Sequence, residues 1–585
     1  MEACLVRRAG LLRAVLLLWG IAWMVGCQGL VGTNTLITVK LAGSGQGTVT
    51  SAPAGIDCGT QCSATIFTPQ PLTLNATPAP GFTFAGWSGA CTGTGPCTIS
   101  LTTTSAAVTA TFTASLKSIN HIIFLAQENR TFDSYFGALR EYWAQNGYSD
   151  QPFDGLPQFN SPAGAAPSIP GCNPAFPFDP TATPPQTNDC MFDPANPVAS
   201  FHFQTECVEN PSPSWNEAHV DWDYNDPTGL QPAKLNGFVY AAGHDARDTV
   251  PPFHDTDGIR AMGYYDGNDL NFYYFMASNF ATSDRWFSPV MSRTPPNREY
   301  LIAATTQGYA YPVGTNANDQ ALIAAPPIFE KLQNAGITWK VYVHSLPNGC
   351  TSAQCLYTQS YVQNFTYGPT MLQNYPQNFE TTDQFIKDAQ SGKLPQIAQI
   401  EPASANGLDE HPSDYDPTPQ QPVPCCSVQA GANFVESLIT AVMDGPSWND
   451  TVFILTFDEP GGFYDHVSPQ PTVSPDGIKP KDLFPGDICT KVTGPTCDFI
   501  YTGYRVPLLV ISPYTKKHYV SHTVMDSTAI LKLIETRFNL PPLTKRDAAQ
   551  PDMTEFFDFV NPPWIHGPNL PAQNGSGACY LDHLP

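Results

Sequence analysis

Positive charge is what this chain has least of: 27 Lys and Arg stand against 51 Asp and Glu in 585 residues, a formal net charge of −24. That deficit excludes nucleic acid as a partner and electrostatic docking on anionic lipid, since both depend on basic counter-charge. A zwitterionic or small phosphorylated substrate stays possible where a metal ion offsets the local field. Charge of either sign is scarce, at 13% of residues, while 58 prolines and 44 glycines imply long ordered loops. Hydrophobic content of 42% is ordinary, enough for one large domain and at least one smaller one. The apolar run from Ala14 to Gly26 falls short of the ~20 residues of a membrane span. Zinc-type cysteine pairs are lacking too, because no pair has both the CxxC spacing and a companion.

What is present at the N-terminus is a targeting pattern. Arg7, Arg8 and Arg13 precede that short apolar run, as in a signal peptide. Met24-Val25-Gly26-Cys27 resembles a bacterial lipobox, in which Cys27 would be acylated. Met24 stands where such boxes usually carry Leu, so ordinary cleavage is the alternative. The chain is therefore expected to be exported, as an outer-membrane lipoprotein or a secreted or periplasmic protein. The close pairs Cys58/Cys62, Cys91/Cys97, Cys350/Cys355 and Cys489/Cys497 then read as small-loop disulfides.

Four segments follow from composition: a leader (1–27), a small β-repeat module (34–114), a catalytic domain (117–560) and a tail (561–585). The module is rich in Thr, Ser, Ala and Gly. Its alternating runs Leu36–Leu41 and Ala107–Phe112 read as short antiparallel strands. Together with Phe84-Ala85-Gly86-Trp87 it resembles the β-repeat modules of bacterial surface proteins, a spacing or adhesion role. From about residue 117, strands at 122–125, 337–343, 397–400, 452–455 and 506–511 alternate with helices near 321–334, 430–444 and 525–537. That alternation predicts an α/β domain with a mainly parallel sheet covered on both faces. Residues 150–215, with Cys172, Cys190 and Cys207, read as a stapled surface loop.

Chemistry gathers at strand ends. Phe457-Asp458-Glu459-Pro460-Gly461-Gly462-Phe463 follows the apolar run Val452–Thr456, and open α/β sheets keep their ligands at such carboxyl ends. Adjacent acids there suit a hard or borderline cation, or form a solvated turn. Gln127-Glu128-Asn129 follows Ile122–Leu125 and offers a carboxylate and an amide oxygen to a cation, or else a helix cap. Thr294, on the Pro-stiffened run Ser292-Arg293-Thr294-Pro295-Pro296-Asn297-Arg298, is a candidate nucleophile or an ordinary turn residue. His411, in Asp409-Glu410-His411-Pro412-Ser413, is a general acid or a solvent-facing residue.

Those motifs, with Arg505-Val506-Pro507 and Leu543-Thr544-Lys545-Arg546-Asp547, occur in the order seen in one family. The chain resembles the phosphoesterases that include bacterial phosphatidylcholine-type and plant non-specific phospholipases C and some acid phosphatases. The likeness spans roughly 117–550 and implies an alkaline-phosphatase-like three-layer fold. It implies Thr294 as the residue taking the phosphoryl group. Glu128, Asn129, Asp458 and Glu459 would hold one divalent metal ion of unspecified identity, and His411 would protonate the leaving alcohol. His219, in Glu217-Ala218-His219-Val220-Asp221-Trp222, resembles an element that reaches the phosphate, while His466 and Arg298 would support the ligands. The implied substrate is a phospholipid or a small phosphoester. An acid phosphatase is the alternative within the same chemistry, and an inert adhesin is the alternative outside it. Trp222, Tyr224, Tyr264, Tyr265 and Trp286 could cage a choline-like head group or be packing residues.

Overall fold

The computed structural model describes residues 34–67, 70–179, 190–229, 232–249, 252–344, 349–414, 427–491 and 493–584. The leader with Cys27 lies outside them. The chain divides into two compact units, one from residues up to 42 with 47–77 and 84–111, the other from 43–46, 78–83 and 112 onward.

The first unit is all β. Thr35–Ala42 lies between Ser63–Ile66 and Ser105–Ala114, and a second sheet joins Gly47–Ala52, Asp57–Cys58, Leu72–Pro78 and Cys97–Ile99. One expectation is corrected here. Thr35–Ala42 runs antiparallel to Ser63–Ile66 but parallel to Ser105–Ala114, with Leu36 opposite Ser105 and Leu41 opposite Ala110. Alternation of side chains fixes which face is buried and says nothing about strand direction. The strands in between form the crossover that a parallel pair requires.

In the second unit an eight-stranded sheet forms the core. In chain order its strands are β1 (His121–Gln127), β2 (Ala281–Ser283), β3 (Trp339–Val343), β4 (Phe379–Thr381), β5 (Ile397–Ile400), β6 (Thr451–Phe457), β7 (Leu508–Ile511) and β8 (Tyr519–Ser521). Across the sheet they run β4-β3-β5-β1-β6-β7-β2-β8. Neighbours from β4 to β6 are parallel, β7 is antiparallel to both β6 and β2, and β2 is parallel to β8. Every residue of β6 is buried. Because successive side chains point to opposite faces, both faces of the sheet are covered there.

The cover comes from two packed sets of helices. α3 (Asn271–Asn279), α6 (Thr382–Ser391) and α7 (Val428–Met443) form one, and α4 (Thr294–Ala303), α5 (Ile328–Asn334) and α8 (Thr528–Phe538) the other. α7 shows why the sequence chooses a helix. Val428, Ala432, Val435, Leu438, Ile439 and Val442 fall on one buried stripe, and the Ser427 side chain caps its start by accepting from the Ala430 N–H at 3.2 Å. Among the described residues no helix is long and apolar enough to cross a membrane.

All four expected small-loop disulfides form, and two more join Cys172 to Cys190 and Cys207 to Cys579. The second of these changes the reading of 150–215 as a surface loop. Residues 205–213 are buried, and the Val208 carbonyl accepts from the Ser413 N–H at 2.7 Å. Proline-rich composition marks a lack of regular structure, not exposure.

Candidate active site

Three adjacent parallel strands deliver the site. β5 is followed at once by Glu401, β1 by Glu128-Asn129 and β6 by Asp458-Glu459. β1 and β6 pair in register, with Gln127 opposite Phe457, so Glu128 and Asp458 emerge side by side. Asn129 then adopts φ of 60°, a left-handed conformation that non-glycine residues rarely keep without a reason. The turn after Glu459 needs glycine twice. Gly461 has φ of 70°, and a side chain there would collide with the Asn129 carbonyl. Gly462 has φ of 76°, and its Cβ would stand 2.7 Å from the Ser212 carbonyl oxygen.

Thr294 opens α4 from the opposite side. Its Oγ1 lies 3.0 Å from Glu128 Oε2, 3.3 Å from Asn129 Oδ1 and 3.2 Å from Glu459 Oε1. One hydroxyl carries one proton, so three acceptor oxygens on it leave a surplus of lone pairs. Hard oxygens in surplus around one point are what a divalent cation requires, and Glu128, Asn129 and Glu459 fit that role.

Asp458 is directed elsewhere. Its Oδ1 accepts from the Asn129 and Glu459 N–H groups at 3.2 and 2.8 Å, and its Oδ2 faces Arg298 Nε at 3.2 Å. One helical turn after Thr294, Arg298 also donates from Nη2 to Glu128 Oε1 at 2.7 Å and to the Ala126 carbonyl at 3.0 Å. A single guanidinium thus faces two buried carboxylates. Burial first, then the neighbouring carboxylates, push Asp458 and Glu459 well above the usual carboxylate range.

His411 stands beside this cluster. Asn129 Nδ2 donates to its Nε2 at 2.9 Å, and its Nδ1–H donates to the Pro412 carbonyl at 2.5 Å. The amide of Asn129 therefore turns its oxygen to Thr294 and its nitrogen to His411. The pocket has a volume of about 520 Å³ and is lined by Glu128, Arg293, Thr294, Tyr361, Asp409 and His411, among others.

Two expected residues lie outside this group. His219, on α2 (Trp215–Trp222), is fully buried, with Nδ1 2.6 Å from the Trp215 carbonyl and Nε2 3.3 Å from that of Thr496. Burial holds its pKa down to about 4, so it is a neutral packing residue against Trp215. His466 belongs to a separate ion network. Its Nδ1 is 2.7 Å from Asp133 Oδ2 and its Nε2 is 3.0 Å from Asp154 Oδ1. Burial favours the neutral ring, but Asp133 and then Asp154 outweigh it and raise His466 to about 9. Arg505 fills the space between Asp133 and Asp465, donating to them at 2.9 and 2.7 Å. Asp133, Asp465 and His466 come close enough to hold an ion, and the guanidinium already occupies that role.

Of the aromatic cage candidates, Trp222, Tyr265 and Trp286 are core residues. Tyr224 stacks on Phe192 at 4.0 Å and Tyr264 meets Phe159 edge-on. Sequence reasoning missed Glu401, whose Oε1 accepts from the Tyr361 N–H at 3.2 Å and whose Oε2 is 3.8 Å from Arg298 Nη1. Burial lifts its pKa to about 7 against the opposing Arg298 charge. The signal was available: Glu401 follows the strand Ile397–Ile400 directly, as Glu128 follows His121–Gln127 and Asp458 follows Thr451–Phe457.

Carboxyl ends of parallel strands are where α/β enzymes keep their chemistry, and this architecture makes the protein an enzyme of that class. The chain belongs to the Phosphoesterase family, whose sequence model matches residues 119–541. A Divergent InlB B-repeat domain matches residues 37–116. Phospholipase C B of Mycobacterium tuberculosis is 29% identical over 492 residues, covering 78% of this chain and 80% of that protein. Non-specific phospholipase C3 of Arabidopsis thaliana is 28% identical over 463 residues, covering 74% of this chain and 72% of that one. A solved alkaline phosphatase superfamily protein from Vibrio parahaemolyticus aligns at a TM-score of 0.27 and 10% identity, over 48% of this chain and 63% of that one.

Proposed function

We propose that the protein is an exported, metal-dependent phosphoesterase of phospholipase C type, acting on a phosphodiester through a phosphothreonine at Thr294. The observation that carries this reading is the Thr294 hydroxyl held 3.0–3.3 Å from Glu128, Asn129 and Glu459 at the start of a helix. Relatives named phospholipases C support the diester as substrate.

A divalent cation held by Glu128, Asn129 and Glu459 would lower the hydroxyl pKa and offset charge on the phosphate. The chain's own residues do the rest. Thr294 Oγ1 gives its proton to a facing carboxylate and attacks phosphorus, and the bond from phosphorus to the leaving alkoxide oxygen breaks. His411 Nε2, which accepts from Asn129 at rest, must first take up a proton to deliver it to that oxygen. Water then attacks phosphorus and gives a proton to His411 Nε2, which restores the acid, while the bond to Thr294 Oγ1 breaks, that oxygen takes its proton back from the carboxylate, and the phosphorylated head group leaves. Asp458, tied to Arg298, keeps the Asn129 and Glu459 backbone in place.

Purified 28–585 protein and Thr294→Ala, assayed on phosphatidylcholine and p-nitrophenyl phosphate with and without chelator, test the proposal. Diacylglycerol release that needs both metal and Thr294 supports it. Hydrolysis of the monoester alone moves the function to a phosphatase, and turnover of neither substrate overturns it. Export and acylation rest on the leader sequence. Labelling of Cys27 by a fatty-acid precursor in a bacterial host would support the lipoprotein form, and an unmodified chain in the medium the secreted one.

A further inference from the structure

We infer that Arg293, the residue before the nucleophile, is the group that clamps the non-bridging oxygens of the phosphate. The inference rests on the functional reading above and adds a binding residue to it.

Charge is the first argument. Glu128, Asp458 and Glu459 carry three negative charges when ionised, and Arg298 returns one. Counting one divalent cation, those four groups reach only neutrality, and Glu401, 3.8 Å from the same guanidinium, adds a further carboxylate. A phosphate then enters a pocket also lined by Asp409 and Asp414, with nothing left to balance its own charge. Phosphoryl transfer needs counter-charge on the equatorial oxygens, because that is where the transition-state charge resides.

Availability is the second. Arg298 is buried and its Nε and Nη2 are committed to Asp458, Glu128 and the Ala126 carbonyl. The start of α4 offers little, since Pro295 and Pro296 have no N–H to donate. Arg293 is exposed, lines the pocket, and makes no hydrogen bond or ion pair through its guanidinium among the described residues. A planar fork with free donors at a phosphate site fits two oxygens at once.

The test compares wild type, Arg293→Ala and Arg293→Lys on p-nitrophenyl phosphate and p-nitrophenylphosphocholine, with inorganic phosphate as inhibitor. Loss of one donor to a developing charge costs roughly 10²–10³-fold in turnover, and that loss in kcat/KM is expected for Arg293→Ala. Phosphate inhibition should weaken in parallel, Arg293→Lys should recover part of the loss, and added guanidinium ion should partly rescue Arg293→Ala. Unchanged phosphate inhibition and kcat/KM within about threefold of wild type would overturn the role of Arg293 while leaving the phosphoesterase reading intact. If wild type turns over neither substrate, the functional reading fails. Calorimetric titration of wild type and Arg293→Ala with inorganic phosphate then decides on Arg293 alone: weaker binding by the variant supports the clamp and equal binding overturns it.

Discussion

At the scale of single residues, the division of labour among the acids is the sharpest feature. Glu459 points an oxygen at Thr294, whereas both oxygens of Asp458 are taken by Arg298 and two backbone N–H groups. Glu459→Gln is therefore expected to weaken metal binding about 10–100-fold, with the fold intact, as read by metal titration of the thermal midpoint. Asp458→Asn should cost stability first. Its loss disturbs the acceptor of the Asn129 and Glu459 N–H groups and one of the two close carboxylates on Arg298, while Glu128 still pairs the guanidinium. A cost of about 1–3 kcal/mol is expected for the disrupted buried hydrogen bonds. A denaturant midpoint for Asp458→Asn equal to that of wild type would contradict this assignment. Residue type alone made the two acids look equivalent in the sequence. Only the orientation of each carboxylate separates them, and orientation comes from the register of β1 and β6 and from a helix that begins 166 residues after Glu128.

At the scale of elements, the turn after β6 carries a constraint that a point change exposes. Gly461→Ala would drive a methyl into the Asn129 carbonyl at a φ of 70°. The expected result is a destabilisation of about 1–3 kcal/mol with loss of turnover, measured by denaturant unfolding and by the diester assay. Much of this level was legible in the sequence. The runs at 122–125, 397–400 and 452–455 are strands, and acids after two of them, read as candidate ligands, converge on Thr294. Glu401 was not so read, because a single acid after a short strand also reads as a solvated turn. His219 entered through the likeness of Glu217–Trp222 to a family element, and a local likeness does not reveal the partner of its second nitrogen, the Thr496 carbonyl 277 residues away. Parallel pairing within the small β unit was illegible because alternation is blind to direction.

At the scale of the whole molecule, pH should act through the network around Arg505. The folded pKa of His466, about 9, lies above its ordinary value of 6.5. A raised pKa means the folded state binds the proton more tightly than the unfolded chain. Its contribution is therefore fully present below about pH 6.5 and is lost as pH rises through about 9. The thermal midpoint of wild type should fall across that window. In His466→Gln the fall should be smaller and the midpoint at pH 6 already lower. A wild-type midpoint flat from pH 6 to 9.5 would refute the assignment. Covalent closure acts at the same scale. Cys207–Cys579 spans 372 residues, and Cys579→Ser is expected to cost about 2–5 kcal/mol, read as a drop in denaturant midpoint under non-reducing conditions.

That bond also sets a clock on the enzyme. Cys207 is followed at once by the segment whose Val208 and Asn210 backbone groups hold Ser413 on the wall of the pocket, yet its sulfur partner lies 372 residues further along the chain. Chain growth at about 5–20 residues per second leaves an interval of tens of seconds in which most of the domain exists and this wall is not yet anchored. A nascent chain stopped short of residue 579 should show weaker protection of Ser413 from hydrogen exchange than one extended past it, so that this wall of the pocket is completed in a single late step instead of building up along the chain.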